Sequence, residues 1–346
     1  MRIDDIARRM AGQRVVVTGA GGFIGRRLTA VLARGGAQVT VLVRSRRDVP
    51  PGVRTVLCDL GSGVVPPGAL AGASVLFHFA YDVRASAEAN LCGFDALLAA
   101  AAQAGVGRVV HASSAVVYDD WPDGHLSERS AWGGPGGGPY RQAKIEMERR
   151  LLGGPLPAVI LQPTIVYGPG SALWTGRPMA QLKSGGVVLP SPVGLCAAVH
   201  VDDVVLAALL AAVVPDPGRE RFLVSGPDRM TWEDFFRGYA AMLGGGKIEL
   251  CDLGPAPAPA AEGAAGPSLA ARVSAAGRRL LGHRRFEALV AAARTLRPAA
   301  GPALPDAGLH RLYLGRPTID LGHAQVRLGF EPLIDFQAGL TTISTK

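Results

Sequence analysis

The sequence predicts an α/β protein with a doubly wound parallel sheet and a smaller carboxyl-terminal lobe. Strand-like and helix-like stretches alternate from residue 14 to residue 111. Repeated units of this length imply a parallel sheet that binds its ligand at the carboxyl ends of the strands. At 346 residues the chain is also long for a single hydrophobic core, so a second lobe is expected.

The first strand and the turn after it predict an anion-binding site. Val15, Val16 and Val17 are β-branched, which suits a strand that is covered on both faces. The glycine turn 18–22 lets the backbone approach a ligand closely, and a helix from Phe23 to Arg34 follows it. The N–H groups at the start of that helix, together with its dipole, favour the pyrophosphate of a dinucleotide.

The second and third strands bear on which dinucleotide is bound. Strand Gln38 to Val43 ends at Arg44, with no acidic residue beside it. An acid there would select NAD through the ribose hydroxyls, whereas an arginine accommodates the 2′-phosphate of NADP. We therefore predict that NADP is preferred, and the alternative is a solvated basic turn that tolerates either NADP or NAD. Asp59, after strand Arg54 to Leu57, either accepts a hydrogen bond from the adenine amine or forms a turn.

The fourth strand, Ser74 to Phe79, precedes Ala80, whose small side chain would let the coenzyme lie close to the strand end. His78 is interpreted as a hydrogen-bonded core histidine rather than a catalytic residue. A helix over residues 85–104 and a fifth strand, Arg108 to His111, complete the alternation.

Three side chains after the fifth strand have the chemistry of a hydride-transfer site. Tyr140 and Lys144 are four positions apart on a predicted helix, so they lie on one face. A tyrosine has a pKa of about 10, and a nearby ammonium lowers it by favouring the phenolate. Ser114 can hydrogen-bond a substrate oxygen while Tyr140 exchanges a proton with it. Together they predict hydride exchange between a nicotinamide and a substrate carbon.

At this point the sequence resembles the extended short-chain dehydrogenase/reductase family, also called the NAD-dependent epimerase/dehydratase family. The resemblance depends on Thr18-Gly19-x-x-Gly22-x-x-Gly25, Asp59-Leu60, Ser113-Ser114-x-x-x-Tyr118, Tyr140-x-x-x-Lys144, Leu161-Gln162-Pro163-Thr164-Ile165-Val166-Tyr167-Gly168-Pro169 and His200-Val201-Asp202-Asp203.

The resemblance implies a Rossmann-type NAD(P)-binding domain at 1–170, rejoined by 198–225, and a substrate-binding lobe at 171–197 and 226–346. It implies oxidoreduction of a secondary alcohol or ketone on a sugar or sugar-like biosynthetic intermediate. The alternative activity is that of a nucleotide-sugar epimerase with a tightly bound coenzyme. It also suggests a homodimer and a small-molecule substrate that is phosphorylated or nucleotide-linked.

Carried onto this sequence, the resemblance assigns catalysis to Ser114, Tyr140 and Lys144. The coenzyme residues are Gly19, Gly22, Phe23, Ile24, Gly25, Arg44, Asp59, Leu60, Ala80, Tyr140, Lys144, Pro163 and Ile165. Arg311 and Arg316 are expected to hold a substrate diphosphate, and Arg177 is a further candidate for substrate contact.

Four departures from the family pattern limit the choice of substrate. Ala115-Val116 replaces the acidic pair of the dehydratases, so a dehydratase is not expected. Gln162 stands where an arginine is common and Ile165 where many nucleotide-sugar enzymes have an asparagine, which puts the usual nucleotide-sugar contact in question. Asp119 in place of a glycine predicts an unusual path for the next loop.

The segment 132–139, the glycine-rich loop, has too many glycines for regular structure. It is either a mobile loop beside the substrate or a passive surface linker. Further on, 254–268 reads as a flexible connection. The basic helical region 269–296 is interpreted as a solvated face, and the alternatives are contact with a phosphate-rich substrate or an acidic membrane surface.

Composition excludes several other classes of function. The net charge of +8 is moderate, and the arginines are not interleaved with aromatics, so nucleic-acid binding is not expected. The four cysteines show no paired spacing, which predicts no metal site and a reduced, cytoplasmic setting. The apolar run Val204 to Val214 is too short to span a bilayer, so no transmembrane segment is expected.

A protein that binds a dinucleotide without catalysis, as a sensor or an assembly subunit, remains the alternative class of function. Such a protein would not use Ser114, Tyr140 and Lys144 together.

Overall fold

The computed structural model describes residues 3–46, 48–256 and 301–344. The basic helical region 269–296 and most of the connection 254–268 lie outside these residues. The strands are β1 (Arg14–Thr18), β2 (Gln38–Val43), β3 (Arg54–Leu57), β4 (Val75–His78), β5 (Arg108–Ala112), β6 (His125–Leu126), β7 (Ala158–Pro163), β8 (Ile165–Tyr167), β9 (Val187–Pro190), β10 (Leu195–Cys196), β11 (Ala198–His200), β12 (Arg219–Val224), β13 (Met230–Thr231), β14 (Ile248–Cys251) and β15 (Thr318–Ile319).

Helices cover both faces of the central sheet and build the smaller lobe. They are α1 (Ile3–Arg8), α2 (Phe23–Arg34), α3 (Ala87–Gln103), α4 (Gly138–Gly153), α5 (Arg177–Lys183), α6 (Val201–Val213), α7 (Trp232–Leu243), α8 (Ala307–Leu314), α9 (Gly322–Leu328) and α10 (Phe336–Thr341). No helix within the described parts of the chain is long and apolar enough to cross a membrane.

The central sheet has seven parallel strands in the order β12-β7-β5-β4-β1-β2-β3. The order reverses beside β1, where Thr18 is paired with Leu42 of β2 on one side and His78 of β4 on the other. The predicted doubly wound fold is therefore confirmed. In such sheets the ligand binds outside the carboxyl ends of the strands at the reversal.

The β-branched run in β1 explains why this strand lies at the centre. Val15 and Val17 pack into the cluster that contains α1, α2 and α6, whereas Val16 packs into the cluster on the opposite face, with α3 and α4. All three side chains are at most 3% exposed. A strand with apolar side chains on both faces suits a sheet that helices cover on both sides.

The smaller lobe packs around aromatic side chains. Trp232, Phe235 and Tyr239 of α7 share one cluster with Tyr313 of α8 and Phe336 of α10. The indole nitrogen of Trp232 donates to the Leu312 carbonyl at 3.0 Å, which joins α7 to α8. Thr231 and Asp234 form a reciprocal capping box at the start of α7.

Helix α6 connects the sheet to the closing segment of the chain. Its amino end is capped by His200, whose ring nitrogen accepts from the Asp202 N–H at 3.2 Å. The Asp202 carboxylate also accepts from Arg27 of α2 at 2.8 Å. The buried Asp203 carboxylate accepts from the N–H groups of Leu333 and Ile334 at 2.9 and 3.2 Å. These bonds hold residues 333–334 against the nucleotide-binding core.

Candidate active site

A cavity of about 500 Å³ lies at the carboxyl ends of the strands, where the strand order reverses. Part of its lining consists of residues that the sequence assigned to the coenzyme: Gly19, Gly22, Arg44, Asp59, Leu60 and Ala80. Tyr81, Asp82 and Asn90 also line it, and the sequence did not assign them.

Two glycines keep the turn close to its neighbours. Gly19 has φ +74°, and a Cβ there would lie 2.5 Å from the carbonyl carbon and oxygen of Phe79. A Cβ on Gly25 of α2 would lie 2.7 Å from the carbonyl carbon of Gly19. Only glycine allows β4, the turn and α2 to approach one another in this way.

The start of α2 fits the pyrophosphate of a dinucleotide. Its N-cap is Gly22, and no side chain hydrogen-bonds to the free N–H groups there. The first turn of α2 also contains no acidic residue that would repel an anion. Free N–H groups and the helix dipole are what a phosphate requires, so the residues present fit the coenzyme.

Two residues of the cavity lining form a charged pair. Arg44 forms an ion pair with Asp82, and the Arg44 side chain is 49% exposed. The Asp82 carboxylate also accepts from the Arg84 N–H at 3.0 Å, and this bond is the main cause that lowers its pKa. Asp59 accepts from the Gly61 N–H at 3.1 Å, so the turn-forming alternative is observed, although Asp59 also lines the cavity.

The other residues that were assigned to the coenzyme lie outside this lining. They are Phe23, Ile24, Gly25, Tyr140, Lys144, Pro163 and Ile165. Pro163 ends β7 and Ile165 begins β8, where Ile165 is 5% exposed within the aromatic cluster of the smaller lobe. Their contact with a coenzyme stays a prediction.

The three predicted catalytic side chains come together beside the end of β5. Lys144 of α4 donates from Nζ to the Ala112 carbonyl at 2.7 Å, two residues before Ser114. Tyr140 lies one helical turn before Lys144, with its ring centroid 5.8 Å from Nζ. Ser114 lies near enough to Tyr140 to favour its ionised form. Lys144 thus fastens the helix that bears Tyr140 to the strand that leads into Ser114.

The ionisation of Tyr140 differs from the sequence prediction. Tyr140 is 39% exposed, yet burial of its hydroxyl raises the pKa to about 12, while Ser114 acts in the opposite direction. The predicted lowering of this pKa is therefore wrong for this structure. The reason is that desolvation of the phenol is the largest effect on this pKa. At neutral pH Tyr140 carries its proton.

Lys144 is 4% exposed, and burial lowers its pKa to about 8. The carboxylate of Glu148, one turn further along α4, acts against this by raising the pKa of Lys144. Lys144 is consequently an ammonium at neutral pH and becomes neutral only in mild alkali.

Sequence reasoning missed two residues that surround this ammonium. The ring of Tyr81 lies 5.1 Å from Lys144 Nζ and meets Tyr140 edge to face at 5.0 Å. Glu148 is fully buried, and its two carboxylate oxygens accept from Gln162 Nε2 at 3.0 Å each. The signal for Glu148 was its position four residues after Lys144, the same spacing as between Tyr140 and Lys144.

Buried hydrogen bonds explain why Gln162 stands where the family pattern commonly has an arginine. Its amide oxygen accepts from the Tyr118 hydroxyl at 2.7 Å, so Gln162 joins Tyr118 to Glu148. The guanidinium of Arg221 lies 3.9 Å from Glu148 and supplies positive charge from β12 instead. Gln162 is therefore a member of this network.

His78 is confirmed as a hydrogen-bonded core histidine. Its Nδ1 lies 2.8 Å from the Thr18 hydroxyl, and its ring stacks on His111 with centroids 5.2 Å apart. Burial lowers the pKa of His78 to about 3, so it is neutral at physiological pH.

The three arginines that were candidates for substrate contact lie in the smaller lobe, outside the cavity lining. Arg177 is 3.9 Å from Asp306, and Arg316 donates to the Val193 carbonyl at 3.2 Å. Arg311 is exposed on α8. Their roles with a substrate stay predictions.

This arrangement can bind a carbonyl oxygen through Ser114 and exchange a proton with it through Tyr140. The Lys144 ammonium would stabilise negative charge that develops on either oxygen. The chemistry is that of interconverting a carbonyl and a carbinol beside a dinucleotide cavity.

Residues 15–224 match the family model described as the NAD dependent epimerase/dehydratase family. The chain is 30% identical over 244 residues to the ceramide reductase of Caulobacter vibrioides, covering 66% of this chain and 70% of that protein. It is 25% identical over 255 residues to the 2-alkyl-3-oxoalkanoate reductase of Stenotrophomonas maltophilia, covering 68% of this chain and 77% of that protein.

Among solved structures, MoeE5 in complex with UDP-glucose and NAD has a similar fold. The TM-score is 0.67 at 24% identity, covering 95% of this chain and 96% of that chain. The chain therefore belongs to the NAD dependent epimerase/dehydratase family and is an NAD(P)-dependent enzyme of the oxidoreductase or epimerase type.

Proposed function

We propose that the protein is an NADPH-dependent ketoreductase whose substrate carries an apolar chain. The observation that carries this proposal is the convergence of Ser114, Tyr140 and Lys144 beside the dinucleotide cavity. A phenol that keeps its proton at neutral pH suits the proton donor of a reduction better than the base of an oxidation.

The proposed reaction converts a ketone to a secondary alcohol. When bound, the dihydronicotinamide coenzyme supplies hydride to the carbonyl carbon. The Ser114 hydroxyl donates a hydrogen bond to the carbonyl oxygen. Tyr140 then gives its proton to that oxygen as the π electron pair moves onto it, and solvent restores the proton. Lys144 stabilises the tyrosinate that forms, because its ammonium lies beside the ring.

Two features of the sequence favour an apolar substrate. Ala115-Val116 stands after Ser114 in place of an acidic pair, and Ile165 occupies a position where an amide would suit a nucleotide sugar. Val83, next to the cavity-lining Asp82, is 81% exposed. The two reductases reported above are named for ceramide and for 2-alkyl-3-oxoalkanoates, and both names describe molecules with alkyl chains.

Preference for NADP is part of the proposal. Arg44 lines the cavity, and Arg46 follows as a second exposed cation. A guanidinium can bind a 2′-phosphate with paired hydrogen bonds. The cytoplasmic location, the homodimer and the division into a nucleotide domain and a substrate lobe at 171–197 and 226–346 are likewise proposed.

A second candidate is a nucleotide-sugar epimerase. It is favoured by the likeness to MoeE5 in complex with UDP-glucose and NAD, which extends over 95% of this chain. The sugar-like substrate predicted from the sequence belongs with this candidate. An epimerase oxidises and then re-reduces the same carbon, so it consumes no coenzyme.

Coenzyme stoichiometry separates the candidates. Purified protein is supplied with NADPH or NADH and a long-chain 2-alkyl-3-oxoalkanoate, or with UDP-glucose and no added coenzyme. We expect one NADPH consumed per ketone and no change in the sugar. Epimerisation without added coenzyme would establish the second candidate. Tight coenzyme binding with neither reaction would favour the non-catalytic sensor or assembly subunit.

A further inference from the structure

We propose that Arg141 is a positioning residue that sets the placement of Ser114 relative to Tyr140. This inference rests on the proposed catalytic roles of Ser114 and Tyr140. Arg141 follows Tyr140 directly in the first turns of α4, and its side chain reaches back to the turn that begins at Ser114. The turn that begins at Ser114 is thereby joined to the helix that bears Tyr140 through one guanidinium.

The contacts on the Ser114 side are to backbone carbonyls. Arg141 Nε donates to the Val116 carbonyl at 2.8 Å, and Nη2 donates to the Val117 carbonyl at 3.2 Å. Residues 115–117 form a short helical turn that is capped by Ser114, whose hydroxyl accepts from the Val116 N–H at 3.3 Å. A shift of this turn therefore moves Ser114.

The contacts on the other side are to the glycine-rich loop. Arg141 Nη1 donates to the carbonyls of Gly134 and Gly136 at 2.6 and 3.0 Å. Gln142 adds a bond from Nε2 to the Gly136 carbonyl at 2.7 Å. The loop is therefore fastened to the start of α4, which corrects its interpretation as a mobile loop or passive linker. The helix also begins inside the predicted loop, at Gly138.

Asp119 completes the arrangement. Its carboxylate forms an ion pair with Arg141 Nη2 and accepts from the Gly134 N–H at 2.8 Å. The Arg141 side chain is 11% exposed and that of Asp119 is 35% exposed. Asp119, which stands where the family pattern has a glycine, thus pairs with the arginine.

Each donor of the guanidinium has an acceptor. The five N–H groups of an arginine meet the carbonyls of Val116, Val117, Gly134 and Gly136 and the carboxylate of Asp119. A lysine has three donors at a single point and cannot span these acceptors. Replacing Arg141 with lysine keeps the charge but releases the Ser114 turn, the loop or both.

We expect Arg141→Lys to slow the chemical step and to leave coenzyme binding nearly unchanged. Neither Arg141 nor the glycine-rich loop lines the dinucleotide cavity. A misplacement of about 1 Å at a reacting group costs on the order of 100-fold in rate. We therefore expect Arg141→Lys to lower kcat by roughly 10- to 100-fold, with the NADPH dissociation constant changed less than about twofold.

Arg149 provides a matched control on the same helix and the same loop. It donates to the Gly133 carbonyl at 3.0 Å and pairs with Glu146 at 2.7 Å, but it makes no contact with the Ser114 turn. Arg149→Gln is expected to leave kcat within about twofold of the native value, since exposed pairs of this kind contribute little.

The test is a double-mutant cycle with Ser114→Ala, using reduction of a 2-alkyl-3-oxoalkanoate by NADPH as the assay. If Arg141 acts through Ser114, Arg141→Lys lowers kcat in the native background and has little further effect in Ser114→Ala. Equal losses in both backgrounds, or an equal loss in Arg149→Gln, would overturn the inference. Full activity of both Ser114→Ala and Tyr140→Phe would instead overturn the proposed function.

Crystal structures of the two arginine variants give a readout that does not depend on turnover. We expect residues 114–117 to move relative to Tyr140 in Arg141→Lys and to stay in place in Arg149→Gln. An unmoved turn in Arg141→Lys would contradict the positioning role.

Discussion

Replacing Gly25 with alanine tests whether the glycine turn is held by direct contact with α2. A Cβ on Gly25 would lie closest to the Gly19 carbonyl oxygen, 2.7 Å from the Gly19 carbonyl carbon and 3.1 Å from the Ala20 nitrogen. These are backbone atoms, so no side-chain rotation can relieve the overlap. The turn has to move away from the helix, and with it the part of the cavity lined by Gly19.

The magnitude follows from two opposing effects. Overpacking of a fitted site costs about 1–3 kcal/mol, while alanine in a helix gains about 1 kcal/mol over glycine. We expect Gly25→Ala to lower the free energy of unfolding by up to about 2 kcal/mol. If the turn must be pushed back to bind coenzyme, the same energy weakens NADPH binding by up to about 30-fold.

Gly153→Ala is the matched control. Gly153 ends α4, and a Cβ there meets no atom within 4 Å. This variant should be unchanged or stabilised by up to about 1 kcal/mol, with normal NADPH affinity. Urea unfolding and NADPH fluorescence titration measure both quantities. Equal stability and equal NADPH affinity in the two variants would refute the close approach of α2 to the turn.

Further predictions concern charge and the closing segment. Because the Lys144 pKa is about 8, the ammonium is lost as the pH rises through about 8, so kcat should fall on the alkaline side. Glu148→Gln should move this fall in kcat to lower pH, since Glu148 raises the pKa of Lys144. A fall at the same pH as in the native protein would contradict the coupling between Glu148 and Lys144. Arg44→Ser should raise the KM for NADPH by about tenfold and leave that for NADH nearly unchanged; equal changes for both coenzymes would exclude a 2′-phosphate contact. Asp203→Ala removes the acceptor of two backbone N–H groups and should lower the free energy of unfolding in urea by about 1–3 kcal/mol, whereas native stability would show that residues 333–334 are held by other contacts.

The fold could be predicted because its strands have a strong local signal. The run Val15 to Val17 requires cover on both faces, and the bounds of β2 and β3 follow from the glycines, arginines and prolines around them. The pairing of Tyr140 with Lys144 is likewise local, since helical spacing alone puts them on one face. Ser114 lies with this pair because it follows the carboxyl end of β5, where Lys144 Nζ donates to the Ala112 carbonyl.

What could not be predicted depends on contacts between distant residues and on burial. Arg141 and Asp119 are 22 positions apart, and no spacing rule connects them. The network of Gln162 and Glu148 has the same origin. The predicted shift in the pKa of Tyr140 had the wrong direction. Helical spacing places the Lys144 ammonium near Tyr140, but it gives no information about desolvation of the phenol or about the carbonyl that Lys144 binds.

Single-turnover reduction by Tyr140→Phe measures directly whether the Tyr140 phenol is the proton donor. Protein preloaded with NADPH is mixed with a long-chain 2-alkyl-3-oxoalkanoate, and coenzyme oxidation is followed in time. We expect NADPH to bind within about twofold of the native affinity and its oxidation to slow by about 100-fold or more, because the proton donor is gone. Oxidation of NADPH at the native rate in Tyr140→Phe would contradict this role.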